Sequence, residues 1–185
     1  IKWDEKYPKC GINGTKARGV GMAIAKQGSG LPKIDMASAT LKLNTDGFFS
    51  LLLGATDLGT GSDTILAQIA AETLGVELDK MVVYASDTDL TPYDSGAYAS
   101  STTYTTGNAV IDAARKMKEE IIKYGAKYFE TEAENIEFDG KNIIKKDDKQ
   151  AISLEDFSKK ITYNVLHTQL STTGSYVPEK DAPPY

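Results

Sequence analysis

Between residues 39 and 75 the chain leaves few folding choices open. Ala39, Leu41 and Leu43 alternate with Thr40, Lys42 and Asn44, the period of two that gives a strand one apolar and one polar face. Asp46-Gly47 then supplies a turn with positive φ, and the apolar run Phe48 to Leu53 returns along the first strand as a hairpin. The glycine-rich stretch Gly54 to Thr64 follows. From Ser62 to Leu74 the positions Ile65, Leu66, Ile69, Ala70, Thr73 and Leu74 recur at helical spacing, and Gly75 stops the helix. Hairpin, glycine loop and helix, in that order, set the frame into which the remainder must fit.

Ahead of this frame, Arg18 to Gln27 reads as extended, with Val20, Met22 and Ile24 on one side, and is broken by Gln27-Gly28-Ser29-Gly30-Leu31-Pro32. Behind it, Met81 to Tyr84 reads as a short strand and Asp87 to Gly96 as a loop dense in turn formers. A long helix is predicted from Ala99 to Tyr124, burying Val110, Ala113, Ala114, Met117, Ile121 and Tyr124. Ile136, Phe138, Ile143 and Ile144 flank Asp139-Gly140 as a second hairpin. Ser153, with Asp156 three residues on, opens a short helix through Lys160. Residues 164–185 are polar and Pro-bearing, a loop or an edge strand. This order predicts an α+β fold: two layers, a mainly antiparallel sheet with helices packed on one face, and no regular βαβ alternation.

At 185 residues, with 41% hydrophobic and 25% charged side chains, the chain is of ordinary globular composition. It can bury roughly 70% of the surface its unfolded form exposes. Its 21 basic and 26 acidic side chains leave a net charge of −5, which provides no counterion-release drive toward nucleic acid. Cys10 is the single cysteine and His167 the single histidine, so neither an intrachain disulfide nor a Cys or His metal cluster can form. A surface or loop role is expected for His167. No apolar run approaches the ~20 residues that span a bilayer, and nothing N-terminal resembles a signal peptide, so the expected location is the cytoplasm. The chain begins Ile1-Lys2-Trp3 and stops at Pro183-Pro184-Tyr185, which reads as a piece of a longer polypeptide.

Two segments could carry chemistry. In Gly54-Ala55-Thr56-Asp57-Leu58-Gly59-Thr60-Gly61-Ser62-Asp63-Thr64, Gly59 and Gly61 allow a sharp turn into a helix whose first N–H groups, carrying the positive end of its dipole, face whatever lies ahead. Such a place binds anionic oxygen, although the pattern is neither a P-loop nor a dinucleotide fingerprint. The plainer alternative is a tight turn with Ser62 or Asp63 capping the helix. In Gly96-Ala97-Tyr98-Ala99 followed by Ser100 to Thr106, every residue of the latter run carries a hydroxyl. A helix start lined this way can wrap a polyoxygenated or heterocyclic ligand without adding charge; ordinary capping accounts for Ser100 or Ser101 and leaves the other hydroxyls unexplained. Asp87, Asp89 and Asp94 lack the glycine and glutamate of a calcium loop and read as Asx-turns.

Taken together and in their spacing, these segments resemble the molybdenum-cofactor-binding region of the xanthine dehydrogenase and aldehyde oxidase family of molybdenum hydroxylases. The resemblance runs from about Arg18 to Ala114: Arg18-Gly19-Val20-Gly21, the Gly28-Ser29-Gly30 loop, Gly54 to Thr64 followed by Leu66-Ala67-Gln68-Ile69-Ala70-Ala71-Glu72, the Asp87-Thr88…Pro92 loop, and Gly96 to Gly107 with Ala109. It implies a cofactor-binding domain fragment over 18–185 preceded by an arm over 1–17. It implies cofactor contacts from Gly59, Thr60, Gly61, Ser62, Thr64, Tyr98, Ala99, Ser100, Ser101 and Thr103, and places Gly28, Ser29 and Gly30 near the substrate pocket. The loop's usual central residue is glutamine; here it is Thr60, whose hydroxyl reaches less far.

By the same resemblance the whole protein carries a molybdenum–pterin cofactor, as molybdopterin in a dinucleotide form, with iron–sulfur clusters and FAD on other domains or subunits. The family hydroxylates an electron-poor carbon with oxygen from water, through a glutamate base in a Gly-Glu-Pro-Pro type motif. This sequence contains no such motif, so the fragment itself is expected to hold no catalytic residue and no complete activity. The wording is nearest to bacterial purine hydroxylases of the xanthine dehydrogenase and hypoxanthine oxidase type; aldehyde, nicotinate and an aromatic thioester are alternative substrates. Two readings from other classes remain: a non-catalytic phosphate- or nucleotide-binding module, and a structural partner domain.

Overall fold

The computed structural model describes residues 11–18, 21–25 and 30–179. β1 (Gly11–Asn13) and β2 (Lys16–Arg18) pair as a small hairpin of their own. The main sheet runs in the order β5-β4-β3-β9, from β3 (Ala37–Leu43), β4 (Phe49–Leu53), β5 (Met81–Ala85) and β9 (Ser171–Tyr176). A smaller sheet holds β6 (Ile136–Phe138), β7 (Asn142–Lys145) and β8 (Ala151–Ser153). The helices are α1 (Ser62–Leu74), α2 (Thr102–Tyr128) and α3 (Leu154–Tyr163).

The hairpin predicted around Asp46-Gly47 forms, with Leu41 opposite Leu51 and Leu43 opposite Phe49, and Gly47 takes φ 79°. Ala39, Leu41 and Leu43 on β3 and Phe49, Leu51 and Leu53 on β4 face the helices and are fully or almost fully buried. Each of the larger side chains contributes about 1.5–3 kcal/mol by leaving water. The opposite face of β3 is closed by hydroxyl pairs to β9, Ser38 to Ser175 (2.9 Å) and Thr40 to Thr173 (3.0 Å). β9 is thus the edge strand foreseen for the C-terminal stretch.

The sheet is mixed rather than wholly antiparallel. β5 lies parallel to β4, and α1 is the crossover between them, so one βαβ unit is present where the sequence showed no regular alternation. Gly75 ends α1 in the left-handed region (φ 82°), its N–H reaching the Ala71 carbonyl, as its position after the apolar pattern foretold. α3 starts on Ser153, whose Oγ accepts the Asp156 N–H, the cap read from the sequence; the Ser153 hydroxyl, rather than its N–H, donates to the Asp156 carboxylate. The predicted second hairpin forms as β6 and β7; β8 was not anticipated.

Two expectations need correction. Residues 21–25 form no strand, and Met22 and Ile24 stand 73% and 86% exposed; alternation alone does not bury a segment that pairs with no sheet. Val20 lies outside the described residues. The long helix begins at Thr102 rather than Ala99, because Ala99 and Ser100 adopt left-handed angles (φ 49° and 51°), and it continues to Tyr128 rather than ending at Tyr124.

α2 settles directly on β9 at Gly174. A Cβ there would run into the Ala109 carbonyl and the Ala113 nitrogen, and Thr172 Oγ1 donates to the Ala113 carbonyl (2.9 Å) beside it. Because both obstacles are backbone, neither can rotate aside. Gly174→Ala is expected to lower stability by about 2 kcal/mol or more, in the range of core overpacking, measured as a shift of the urea midpoint with unchanged slope; a variant as stable as the parent would contradict this packing.

Candidate functional site

Parallel pairing sends the carboxyl ends of β4 and β5 to the same end of the sheet, and β3, antiparallel to β4, begins there. The loops that follow β4 and β5, and the one that enters β3, therefore meet. Main-chain bonds fasten them: Ser38 N–H to the Tyr93 carbonyl and Ser95 N–H to the Met36 carbonyl, each 3.1 Å. Gly54 lets the crossing happen, since a Cβ there would strike the Pro92 carbonyl and lie 2.7 Å from Asp94 Cβ. Asp94 in turn accepts the Gly96 N–H (2.9 Å) and the Thr106 hydroxyl (2.8 Å), tying the second loop to α2.

The glycine loop differs from its sequence reading. The N–H groups of Gly59 and Gly61 do not face open space: both donate to Asp57 Oδ1, at 2.8 and 3.1 Å. Gly59 and Gly61 take φ 91° and 74°, and Gly61 itself is the N-cap of α1, without side-chain help. Ser62 and Asp63 are therefore not caps, which corrects the plainer reading. Ser62 is 2% exposed, and its Oγ, like Asp63 Oδ1, is buried with no partner among the described residues. Desolvation works to raise the Asp57 carboxyl, but the N–H groups of Gly59, Gly61, Asp63 and Thr60 outweigh it and hold it below its ordinary value of 3.8. The Asp-x-Gly spacing was the available signal for this Asx-turn.

The hydroxyl-rich segment also divides its labour. Ser101, Thr105 and Thr106 are buried, Thr106 on Asp94 and Ser101 on the Tyr98 carbonyl (2.7 Å), whereas Ser100 and Thr103 are exposed. Consecutive left-handed, non-glycine residues at Ala99 and Ser100 are strained, at about 1 kcal/mol or more each. The strain is held from both sides: the Ser101 N–H closes the turn on the Tyr98 carbonyl (3.0 Å), and from outside the Gly30 N–H donates to the Ala99 carbonyl (3.0 Å). Tyr104, in the first turn of α2, meets Tyr176 hydroxyl to hydroxyl at 2.9 Å, and that bond, with burial, pushes the Tyr176 phenol up to about 12.

Between the two loops lies a cleft of about 330 Å³, walled on one side by Leu58 and Thr60 and on the other by Ala97, Tyr98 and Ser100 to Thr103. The structure thus brings together Thr60, Tyr98, Ser100, Ser101 and Thr103. Gly59 and Gly61 flank Thr60 in the chain without lining the cleft, Ser62 is buried, Ala99 turns its carbonyl to Gly30, and Thr64 sits exposed on the first turn of α1 outside the cleft wall. Leu58, Ala97 and Asp57 were not foreseen. Gly28, Ser29 and Cys10 lie outside the described residues, and His167 is exposed in a loop at φ 47°. Of the Asx-turns expected at Asp87, Asp89 and Asp94, those at Asp87 and Asp94 form, and the Asp89 side chain accepts no bond among the described residues. A second hollow of about 300 Å³ near Asp46 and Gly140 contains none of these residues and is edged by the Lys141–Glu77 ion pair.

A family model for the molybdopterin cofactor-binding domain matches residues 1–185. The chain belongs to that family. The probable hypoxanthine oxidase XdhD of Escherichia coli (strain K12) is 35% identical to this domain over 185 residues, 100% of the chain and 19% of the relative. The putative xanthine dehydrogenase molybdenum-binding subunit XdhA of the same organism is 33% identical over 170 residues, 89% of the chain and 23% of the relative. Among solved structures, reconstituted CO dehydrogenase from Oligotropha carboxidovorans superposes with a TM-score of 0.70 at 26% identity, over 79% of this chain and 19% of that one. The domain spans about a fifth of the length of these relatives.

The cleft fits the group the family is named for. Its volume lies within the ~300–1,000 Å³ of small-molecule sites. Hydroxyls line it, and a Cβ at Gly59 or Gly61 would meet nothing within 4 Å, which leaves the loop open above both glycines. No lysine or arginine contributes to its wall, so a bound phosphate would rely on N–H and O–H donors. Because Asp57 is held below 3.8, its grip on Gly59 and Gly61 persists above the unfolded carboxylate range, near 3.9, and is lost as pH falls through the lowered value. Amide resonances of Gly59 and Gly61 are expected to titrate together with a midpoint below 3.8; a midpoint at or above it would contradict this arrangement.

Proposed function

We propose that this domain forms one wall of the molybdopterin seat in a molybdenum hydroxylase that hydroxylates a purine or related N-heterocycle, with water as the oxygen source. The observation that carries it is the single cleft shared by the glycine loop and the α2 start. When bound, the cofactor supplies the two-electron redox chemistry; the domain orients it. Thr60, Tyr98, Ser100, Ser101 and Thr103 contact it from the walls, with Gly59 and Gly61 on either side of Thr60 shaping the loop; Ser62, which is buried, Ala99, whose carbonyl is taken by Gly30, and Thr64, which lies outside the wall, support the site without touching the cofactor. The left-handed corner at Ala99–Ser100 lies near the reacting end, and Gly28, Ser29 and Gly30 border the substrate. The catalytic glutamate, the iron–sulfur clusters and FAD belong to the remainder of the molybdenum subunit and to partner domains or subunits, working together in the cytoplasm. The isolated chain is therefore inactive.

A purine is favoured over other substrates because the relatives that combine 33–35% identity with 89–100% of this chain carry hypoxanthine oxidase and xanthine dehydrogenase names, whereas the subunit gamma of a 6-hydroxypseudooxynicotine dehydrogenase complex matches 157 residues at 26% identity. Relatives named for carbon monoxide and aldehyde match shorter stretches, 102 and 88 residues. The test uses the full-length subunit. Molybdenum and pterin are expected to co-purify with the parent and to fall at least tenfold in Gly61→Val, whose Cβ branch is strained at φ 74°. Hypoxanthine oxidation is expected to fall in parallel. A parent subunit free of both molybdenum and pterin would overturn the reading in favour of a non-catalytic module; oxidation of aldehyde or nicotinate but not purine would overturn the substrate alone.

A further inference from the structure

Asp35 is fully buried, yet it lies on the short loop that enters β3 rather than in the core. Its Oδ2 accepts the Leu31 N–H at 2.7 Å while its own N–H donates to the Leu31 carbonyl at 3.0 Å, closing residues 31–35 into a ring of two reciprocal bonds. Lys33, at φ 62°, anchors the same turn to the Pro178 carbonyl (2.8 Å). Gly30 sits immediately before this ring. A Cβ on it would touch Asp35 Oδ2, Tyr104 Cδ1 and Pro178 Cγ at 3.4–3.5 Å, so three elements enclose its backbone. Enclosed in this way, the Gly30 N–H meets the Ala99 carbonyl.

We propose that Asp35 is a positioning residue for the cleft: its carboxylate closes the 31–35 turn, the turn fixes the Gly30 N–H on the Ala99 carbonyl, and that bond helps hold the left-handed Ala99–Ser100 pair from which the cleft-lining run Ser100–Thr103 departs. The proposal rests on reading the cleft as the cofactor seat, but the clamp itself exists without any ligand. A carboxylate is suited to the task because it accepts a backbone N–H more strongly than a neutral group does, and its burial prevents water from competing for that donor. Nothing else among the described residues fastens the Ala99 carbonyl. Two strained residues in succession return to ordinary angles unless their surroundings over-determine them.

Amide hydrogen exchange on the 185-residue chain, without cofactor, reads the clamp directly. In the parent, the Gly30 amide is expected to be protected at least tenfold over an open loop. In Asp35→Ala, protection at Gly30 is expected to drop at least tenfold and Ser101 to follow, while Leu41 and Leu51 in the β3–β4 pair keep their parental rates. Asp35→Asn, which retains an acceptor for Leu31, restores most of the protection. Ala99→Gly combined with Ser100→Gly, in which the left-handed angles carry no strain, makes the Ser101 amide insensitive to loss of Asp35. An unprotected Gly30 amide in the parent, or an Asp35→Ala variant in which β3 and β4 loosen as much as Gly30, would overturn the proposal. Should Asp35→Ala fail to fold, Asp35→Ser, whose hydroxyl is too short to reach Leu31, takes its place with the same outcomes. Absence of molybdenum from the full-length subunit would remove the cofactor reading and leave these exchange rates unchanged, so the two failures are separable.

Discussion

Everything at the cleft depends on the parallel pairing of β4 with β5. A hairpin return would have carried the loop after β5 to the far end of the sheet; the α1 crossover delivers it to the same end as the glycine loop. Strand ends grouped in this manner leave a crevice outside the carboxyl edge of a sheet, a recurrent ligand position in open α/β sheets. Here the crevice is completed by β3, whose N-terminal approach passes Gly30 against Ala99. The site is thus a consequence of topology first and of hydroxyl chemistry second.

Electrostatics in the crevice is unusual for an anion seat. The dipole end of α1 already has a negative partner, because Asp57 belongs to the loop itself and receives Gly59 and Gly61. An internal carboxylate rigidifies the turn, and it also means that a ligand approaching Thr60 meets hydroxyl and backbone edges rather than an empty nest. The strained Ala99–Ser100 corner opposite is the complementary feature, a local cost maintained by bonds from Gly30 and from Ser101 to its neighbours. Rigidity on one side and held strain on the other are two ways of pre-organising donors before a cofactor arrives.

What was legible in the sequence was local. Asp46-Gly47, Gly75 and Ser153 with Asp156 each encode a turn, stop or cap within a few residues, and each is found as read. The two candidate segments stood out as a closely spaced glycine pair and a run of hydroxyl-bearing residues from Ser100 to Thr106, and the structure brings them to one cleft. What was not legible required distant partners. The pairing of β9 with β3 joins Ala37 to Tyr176, and no neighbouring residue signals it. Residues 21–25 alternate properly and still find no sheet. Ala99 and Ser100 carry no propensity for left-handed angles; the Ser101 N–H and hydroxyl close the turn locally on the Tyr98 carbonyl, and Gly30, far back in the chain, holds the Ala99 carbonyl. Asp57 was a missed local signal, since its spacing to Gly59 matches the Asx-turns read correctly at Asp87 and Asp94.

The most direct measurement is a crystal structure of the full-length subunit loaded with its cofactor, phased on molybdenum. The account predicts pterin-cofactor atoms within hydrogen-bond distance, about 2.7–3.2 Å, of both the Thr60 loop and the Ser100–Thr103 turn. Density for the cofactor that touches only one of these segments, or lies away from the carboxyl ends of β4 and β5, would contradict it.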